Sequence, residues 1–532
     1  MDSASLILFA LLLAAFLFVV WHKDMSRLPP GQKGMPFFGN SFQIPKDSQW
    51  LTYERWSKQY GKMLYLNFAG VTVIVLNSAK HAIELFDKRS AIYSDRSKFV
   101  MVNELMGWDY SFAFMSYGDR WREHRRMFYQ HYNSQAIQKC RSLTAREVQA
   151  SLHRFIDQPD SFMQHFKDLA GTLILSVTYG IKPLPKDDPY IMISEQALHG
   201  LVVATHAGGH LGKGYISLLR RRVELTSKSA VEFIPALKYL PSWFPGAGFK
   251  RQAEKWRKAA MGMIELPFDA VKRAMAEGRA PESIVSALLS KLNDGGFSPE
   301  QVAKQEADIR GMAGTAYSGS ADSSVSALGT FILAMVLYPE VQRKAQAELD
   351  RVIRRDRLPT YEDEPNLPYI TAVLREMFRR DDEYLGYNLP AGSVVIGNTW
   401  AILHDEDLYK DPGIFNPDRF ITKEGTLDPD VLNPEDFMFG YGRRVCPGRF
   451  FAVQSIWSTM ATLLTAFEIG LPADEHGQKI IPSGEYSGGL AIYPLPFRCT
   501  FKPRSEHIEA LIRSAATSGE LTRDTDQQLE MY

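Results

Sequence analysis

The first feature along the chain is an apolar run from Ala4 to Trp21, interrupted only by Ser5. As a helix rising about 1.5 Å per residue it would span roughly 27 Å, close to the thickness of a bilayer core. A cleaved signal peptide is the alternative, but no Lys or Arg precedes the run and no convincing small-residue cleavage site follows it. Basic residues soon after the run place the remainder in the cytosol. The pattern predicts residues 1–22 as a single transmembrane anchor.

Prolines and glycines punctuate the next segment, residues 23–40, which contains Leu28-Pro29-Pro30-Gly31. Proline fixes φ and removes a backbone donor, so this segment is typical of a stiff hinge. At the other end, residues 506–532 are polar and predict a frayed tail. Residues 41–505 remain as one large domain.

Periodicity within that domain is mostly helical. Residues Met63 to Asn77 instead alternate around Gly70, which predicts a β-hairpin. The longest helical pattern, from about Lys304 to Tyr338, is apolar or small nearly all round beyond its first turns, as in a helix that crosses a domain interior. Pro368 opens another amphipathic helix, and Phe450 to Phe467 predicts a largely apolar one. The fold class is therefore mainly α with a smaller β portion.

Charge and cysteine content narrow the possible partners. Lys+Arg and Asp+Glu both number 61 in 532 residues, so bulk charge gives no reason to expect nucleic acid. The three cysteines, Cys140, Cys446 and Cys499, lie far apart in the sequence. They predict neither a disulfide framework nor a zinc cluster, and they fit a reducing compartment.

Candidate chemistry is concentrated around Cys446, in the segment Phe439-Gly440-Tyr441-Gly442-Arg443-Arg444-Val445-Cys446-Pro447-Gly448. Its glycines allow a tight backbone and the close approach of a flat ring, and Arg444 can neutralise a propionate. A helix that starts just after Cys446 would favour an anionic sulfur. The alternative is a glycine-rich turn around a buried structural cysteine. Five positions fill the pattern F-x-x-G-x-R-x-C-x-G, namely Phe439, Gly442, Arg444, Cys446 and Gly448.

This segment resembles the haem-binding signature of the cytochrome P450 superfamily, and the resemblance extends along essentially the whole chain. The motif set is most similar to fungal microsomal members. The resemblance implies the cytochrome P450 fold and heme b (iron-protoporphyrin IX) as cofactor, with the Cys446 thiolate as axial ligand of the iron. Such a ligand pushes electron density onto iron and favours O–O cleavage, which implies oxygen activation.

Three further motifs match patterns of the same family. Trp121 and Arg125 match W-x-x-x-R, whose arginine binds a haem propionate; the alternative is an amphipathic basic helix, whose other arginines could form a docking face for an acidic electron donor. Glu376 and Arg379 match E-x-x-R and Arg419 matches P-x-R-F, which together imply a buried structural triad. Without the resemblance, Glu376 and Arg379 would be an exposed ion pair of little energetic value.

The central helix carries Gly319-Ser320-Ala321-Asp322-Ser323-Ser324. It is similar to the family's oxygen-activation motif [AG]-G-x-[DE]-T-[ST], which implies that Asp322 and Ser323 deliver protons. By itself the segment would be a close-packing site, although an unpaired carboxylate is unusual inside an apolar helix. Ser323 stands where threonine is usual and Ser320 where glycine is usual.

The main departure from the family is the short connection between Arg379 and Arg419, with only 39 residues between them. A proline-containing turn and a strand bordering the substrate cavity are expected there, so the sequence predicts an internal deletion. We expect such a deletion to weaken haem binding or folding relative to a full-length version.

Together these features predict a monooxygenase of the endoplasmic reticulum membrane whose catalytic domain faces the cytosol. It would insert one atom of O2 into a lipophilic small molecule such as a terpenoid, steroid, polyketide or aromatic xenobiotic. The resemblance implies NADPH–cytochrome P450 reductase as electron donor, with cytochrome b5 as a second candidate. Two alternatives remain: a catalytically impaired haem-binding protein, because of the deletion, and a reductase-independent haem-thiolate isomerase.

Overall fold

The computed structural model describes the chain from residue 28 to residue 517 with internal gaps. The described residues are 28–36, 38–45, 48–68, 70–208, 231, 235–378, 389–390, 392–487 and 492–517. The predicted anchor, part of the predicted hinge, and Arg379 with the start of the shortened connection lie outside the described residues.

Helices make up most of the described chain, as the sequence predicted. The longer ones are α1 (Gln49–Tyr60), α2 (Asp119–Tyr132), α3 (Arg141–Ser151), α4 (Phe162–Tyr179), α5 (Pro189–Gly208), α6 (Gly248–Ala276), α7 (Ile284–Asp294), α8 (Pro299–Leu337), α9 (Pro339–Ile353), α10 (Pro368–Phe378), α11 (Arg449–Ala466) and α12 (506–517). Short helical segments lie at Ala79–Ala82, Ile83–Lys88, Ser90–Tyr93, Val100–Leu105, Trp108–Tyr110, Ser134–Ile137, Gln138–Cys140, His153–Asp157, Pro159–Ser161, Pro235–Tyr239, Tyr361–Asn366, Thr399–Ile402, Pro417–Phe420, Glu435–Met438 and Gly442–Arg444.

Among the described residues, two small sheets form the β portion. Strands β1 (Met63–Phe68) and β2 (Val71–Leu76) pair antiparallel, which confirms the predicted hairpin. Strand β3 (Val394–Gly397) joins β2 in parallel, with Val73 opposite Val394. Near the end of the described chain, β4 (Phe467–Gly470) and β5 (Thr500–Pro503) pair antiparallel. Strand β3 therefore lies within the shortened connection between Arg379 and Arg419.

Helix α8 confirms the predicted interior helix and starts five residues earlier than predicted. Ser298 and Gln301 form a reciprocal capping box, and Pro299 occupies the first turn, where its missing N–H costs nothing. Within the described chain, α8 has the length and apolar character of a membrane span, but half of its most apolar window is buried in the protein. It contacts α2, α4 and α11, as the central helix of the domain does.

Two large hydrophobic clusters share α8. One packs its first half against α2, α4, α5 and α6, and the other packs its second half against α9, α10 and α11. Helix α12 contributes Ile508 and Ile512 to the second cluster, where both are fully buried. The prediction that a frayed polar tail begins at residue 506 was therefore wrong, because two isoleucines four residues apart anchor a helix there.

Candidate active site around Cys446 and helix α8

The Cys446 loop is fixed mainly by backbone contacts. The Cys446 amide donates to the Phe439 carbonyl at 2.7 Å, which closes the loop. The Phe439 ring packs edge-on against Phe378 of α10. Cys446 lies just before α11, which begins at Arg449 after Gly448. This confirms the predicted placement of the sulfur at a helix N-terminus.

Two opposing influences act on the Cys446 thiol. Burial raises its pKa, while the backbone N–H groups of Gly448 and Arg449 and the positive charges of Arg125 and Arg449 act to lower it. Burial dominates for the free thiol. A coordinated metal cation deprotonates a thiol outright, and the same N–H groups and arginines would then stabilise the thiolate.

Glycine is required at position 442 for two reasons. Gly442 has a φ of +51°, and a Cβ at this position would lie 2.0 Å from the Phe86 carbonyl oxygen. Neither reason depends on a cofactor. At Gly448, by contrast, a Cβ would lie 4.0 Å from the Cys446 sulfur, an ordinary contact. The predicted role of Gly448, leaving room for a macrocycle, stays a prediction.

Trp121 and Arg125 lie on α2 next to the Cys446 loop, as the motif predicted. Trp121 is 5% exposed, and its Nε1 is among the buried polar atoms without a hydrogen-bond partner in the described chain. The Arg125 guanidinium lies 6.0 Å from the Trp121 ring centre. Burial lowers the pKa of Arg125 to about 10, and the largest opposing influence comes from Cys446. An indole donor and a desolvated guanidinium next to the sulfur suit a carboxylate of a bound ligand.

Arg444, which the sequence predicted to contact a propionate, binds backbone carbonyls in the structure. It lies 4.5 Å from the Trp121 ring centre and donates to three backbone carbonyls: Ser94 at 2.6 Å, Phe112 at 3.2 Å and Met115 at 2.9 Å. These bonds connect the Cys446 loop to the segment before α2. A guanidinium has five N–H donors, so a propionate contact remains available to Arg444 and stays a prediction.

Sequence reasoning missed Arg96, whose positive charge acts on Arg444. Burial, together with repulsion by Arg96 and Arg125, lowers the pKa of Arg444 to about 10 against the opposing influence of Asp95. Burial also lowers the pKa of Arg96. Three guanidiniums in one cluster predict an anionic ligand, because mutual repulsion of cations is relieved by a bound anion. Arg96 belongs to no motif used above, and only the fold brings it close enough to act on Arg444.

Glu376 and Arg419 form the buried pair that the sequence predicted. Arg419 Nε donates to Glu376 Oε2 at 2.9 Å, and the side chains are 9% and 1% exposed. The Asn416 amide donates to the other Glu376 oxygen at 3.0 Å. The pair holds the turn Pro417–Phe420 against α10, and Arg379 lies outside the described residues.

On α8, Gly319 and Ser323 lie one turn apart on an open face. A Cβ at Gly319 would meet nothing within 4 Å. Ser323 is exposed, and its hydroxyl donates to the Gly319 carbonyl at 2.8 Å. The serines at 320 and 324 face elsewhere, into a small pocket that they share with Phe451 and Ser455 of α11. The helix continues unbroken through this turn, where Ser320 replaces the glycine that is usual in the family.

Asp322 points away from Ser323. The Tyr493 hydroxyl donates to Asp322 Oδ1, and Lys167 and Glu195 are the charged groups that act on it. Burial raises the pKa of Asp322, while Lys167 lowers it. The motif placed Asp322 and Ser323 correctly on one helix turn, but their side chains have different surroundings. Nothing in the sequence around Asp322 signalled its partner Tyr493.

Taken together, these residues fit a haem. A protected sulfur at a helix N-terminus could bind the iron, and the cluster of Trp121, Arg96, Arg125 and Arg444 could bind carboxylates at the macrocycle edge. The open face at Gly319 and Ser323 lies on the helix that contacts both α2 and α11.

Comparisons with known proteins agree with this arrangement. The sequence pattern of the Cytochrome P450 family matches residues 29–501. Cytochrome P450 monooxygenase 98 of Postia placenta is 38% identical, with 94% of this chain and 95% of that protein aligned. Tryptamine 4-monooxygenase of Psilocybe cyanescens is also 38% identical, over 91% of this chain and 94% of that protein.

A solved structure shows the same fold. A zebra fish cytochrome P450, described with abiraterone, superposes with a TM-score of 0.64 at 21% identity. The match covers 86% of this chain and 100% of that one.

Proposed function

The chain belongs to the cytochrome P450 family, whose members carry a haem-thiolate cofactor, and on that premise we propose that it inserts one atom of O2 into a lipophilic small molecule with electrons from NADPH. The observation that carries the proposal is the Cys446 sulfur, held by the N–H groups of Gly448 and Arg449 beside Arg125. When bound, haem supplies the redox chemistry that activates oxygen.

The chain's own residues would bind the cofactor and move protons. Cys446 would be the axial ligand, and Trp121 and Arg125, with Arg96 added from the structure, would hold the propionates. The Ser323 hydroxyl, on the open face of α8, would donate a hydrogen bond into the reaction space and exchange its proton there. Asp322 would supply protons to that space from the solvent side of the helix.

Partners and location follow by the same proposal. An NADPH–cytochrome P450 reductase would deliver electrons, with cytochrome b5 as a second donor, and residues 4–21 would anchor the chain in the endoplasmic reticulum with the domain in the cytosol. Arg122 of α2 and Arg443 of the Cys446 loop are exposed and both lie 5.4 Å from the Tyr117 ring centre, so they suit an acidic donor. Substrates would include terpenoids, steroids, polyketides or aromatic xenobiotics; one relative is named for an indole amine, tryptamine.

The test is reconstitution of the full chain with reductase and NADPH. The reduced carbon-monoxide difference spectrum should show a thiolate-type signal, and lipophiles that give type I spectral shifts should be hydroxylated or otherwise oxygenated. Product without reductase would indicate an isomerase or dehydratase instead. Absence of the thiolate-type signal, or a signal without product from any binding lipophile, would support the impaired haem protein.

The effect of the shortened connection after Arg379 can be tested by comparing two versions of the protein. A second version with a family-length segment inserted before Leu389 should bind more haem per chain than the chain as it stands. Equal thiolate-type signals from both versions would defeat the deletion hypothesis.

A further inference from the structure

Asp322 is held by a segment that is distant in sequence. The Tyr493 hydroxyl donates to its Oδ1, across 171 positions of the chain. One turn further along α8, the Ser326 hydroxyl donates to the Ile492 carbonyl. Two consecutive residues of the 492–494 segment are therefore fixed to one face of α8.

The backbone of Tyr493 is itself restrained. The Tyr493 amide donates to the Ser487 hydroxyl at 2.9 Å, and the Tyr493 carbonyl accepts from the Ser487 amide at 2.8 Å. These two hydrogen bonds fix the position of the Tyr493 backbone. A phenol has few rotatable bonds, so a fixed backbone places its hydroxyl precisely. Tyr493 is thus a rigid support for the Asp322 carboxyl.

The charged groups that act on Asp322 form a pair that reaches solvent. Lys167 of α4 and Glu195 of α5 form an ion pair at 3.3 Å, and their side chains are 36% and 39% exposed. Both line a surface cleft of about 540 Å³ between α4, α5 and α6. Asp322 is therefore next to Ser323 in α8 and is influenced by a charged pair that reaches solvent.

We propose that Tyr493 is a positioning residue that fixes the Asp322 carboxyl for proton transfer from the Lys167–Glu195 side toward the open face of α8. This inference rests on the proposed monooxygenase function. Without the phenol, the carboxyl would be free to rotate toward Lys167 and form an ion pair, which would hold it outside the reaction space. Proton supply to the active site would then lag behind electron supply.

The matched variants are Tyr493→Phe and Tyr486→Phe. Each removes one phenol hydroxyl from the same C-terminal segment, but the Tyr486 side chain interacts with Thr330, two turns of α8 beyond Asp322. We expect Tyr493→Phe to lower product formed per NADPH by about three- to tenfold, with more hydrogen peroxide released. Haem content, the thiolate-type signal and substrate spectral shifts should not change, and Tyr486→Phe should behave as the unmodified protein.

A second readout does not need turnover. The carboxyl infrared band that disappears in Asp322→Asn can be titrated in the full-length holoprotein. A hydroxyl that donates to a carboxylate favours its ionised form, so loss of the Tyr493 hydroxyl should raise the apparent pKa of Asp322. The other groups that act on Asp322, Lys167 and Glu195, are the same in both tyrosine variants.

An unchanged Asp322 titration in Tyr493→Phe would overturn the proposal, as would an equal loss of coupling in Tyr486→Phe. If the unmodified chain makes no product, the monooxygenase proposal fails, and the infrared titration still decides whether Tyr493 controls Asp322.

Discussion

The Cys446 loop and the Gly319–Ser324 turn of α8 belong to the same site but are stabilised in different ways. The Cys446 loop is fixed by backbone contacts: the Phe439 carbonyl, the N–H groups before α11, and a positive φ at Gly442. The α8 turn is a regular helix, and its functional side chains are oriented by residues far away in sequence, such as Tyr493.

This difference explains where the sequence matches its family and where it departs. The loop fills all five motif positions, and at Gly442 the positive φ and the close Phe86 carbonyl exclude other residues. The α8 turn has serine at 320 and 323, because a helix accepts either residue and long-range contacts orient the acid. Variants in the loop should therefore abolish the site, and variants in the turn should alter its efficiency.

The largest effect is expected from Cys446→Ser. A serine oxygen is a poor substitute for the thiolate, so the thiolate-type signal should disappear and product should fall by more than about 100-fold, beyond the loss typical of outer-shell partners of a metal ligand. Cys140→Ser, at a half-buried thiol just before α3, should leave both unchanged. Retention of the signal in Cys446→Ser would show that another residue binds the iron.

Glu376→Gln should cost about 3–5 kcal/mol of unfolding free energy, because it leaves the buried Arg419 charge without its partner. Asp418→Asn is the matched control: its ion pair with Lys344 is about half exposed on both sides and should contribute less than about 1 kcal/mol. Denaturant unfolding of the haem-loaded protein measures both. Equal losses would mean that burial does not decide the strength of the pair.

Gly442→Ala should destabilise the loop by about 3 kcal/mol or more, because strain at positive φ adds to a clash with the Phe86 carbonyl. Gly440→Ala separates the two effects: its φ is +77°, but its Cβ would have no contact closer than 4.0 Å. We expect about 1–2 kcal/mol there. The half-life of haem retention on dilution ranks the variants, and similar half-lives would argue against the clash.

Ser323→Ala should reduce product per NADPH by about tenfold while the carbon-monoxide signal persists, because only the hydroxyl is lost. Ser323→Thr should retain coupling, since it keeps the hydroxyl and adds a methyl that restricts its rotamers. Ser324→Ala, which changes the buried neighbour facing α11, is the control. If Ser323→Ala formed as much product per NADPH as the unmodified protein, the Ser323 hydroxyl would not be part of the proton path.

The smallest effect concerns Asp322 and stability. Burial raises its folded-state pKa above the ordinary value, so the protonated form stabilises the fold at low pH and this contribution is lost as pH rises through the folded pKa. Asp322→Asn should therefore raise the melting temperature at about pH 8 and raise it less at about pH 5. A shift that is the same at both pH values would contradict this assignment.

Much of the fold could be predicted from the sequence because local patterns carry it. The β1–β2 hairpin, the interior helix α8, α10 after Pro368 and α11 after Cys446 each follow from periodicity and from where prolines and glycines stand. The Cys446 loop could be identified for the same reason, since closely spaced residues impose its geometry. The prediction for the tail was wrong because Ile508 and Ile512 are buried in a hydrophobic cluster formed by distant parts of the chain. The sequence around them did not indicate that contact.

The sequence by itself placed a cysteine just before a helix start, and its motifs singled out Trp121, Arg125, Glu376 and Arg419 as residues that support the predicted site. Only the tertiary structure decided that Arg96 joins the arginine cluster, that Arg444 binds three carbonyls, and that Tyr493 holds Asp322. The physical reason is range: loop geometry and helix starts are set by neighbours along the chain. The orientation of a buried charge depends on whichever distant groups the packing brings within hydrogen-bonding distance.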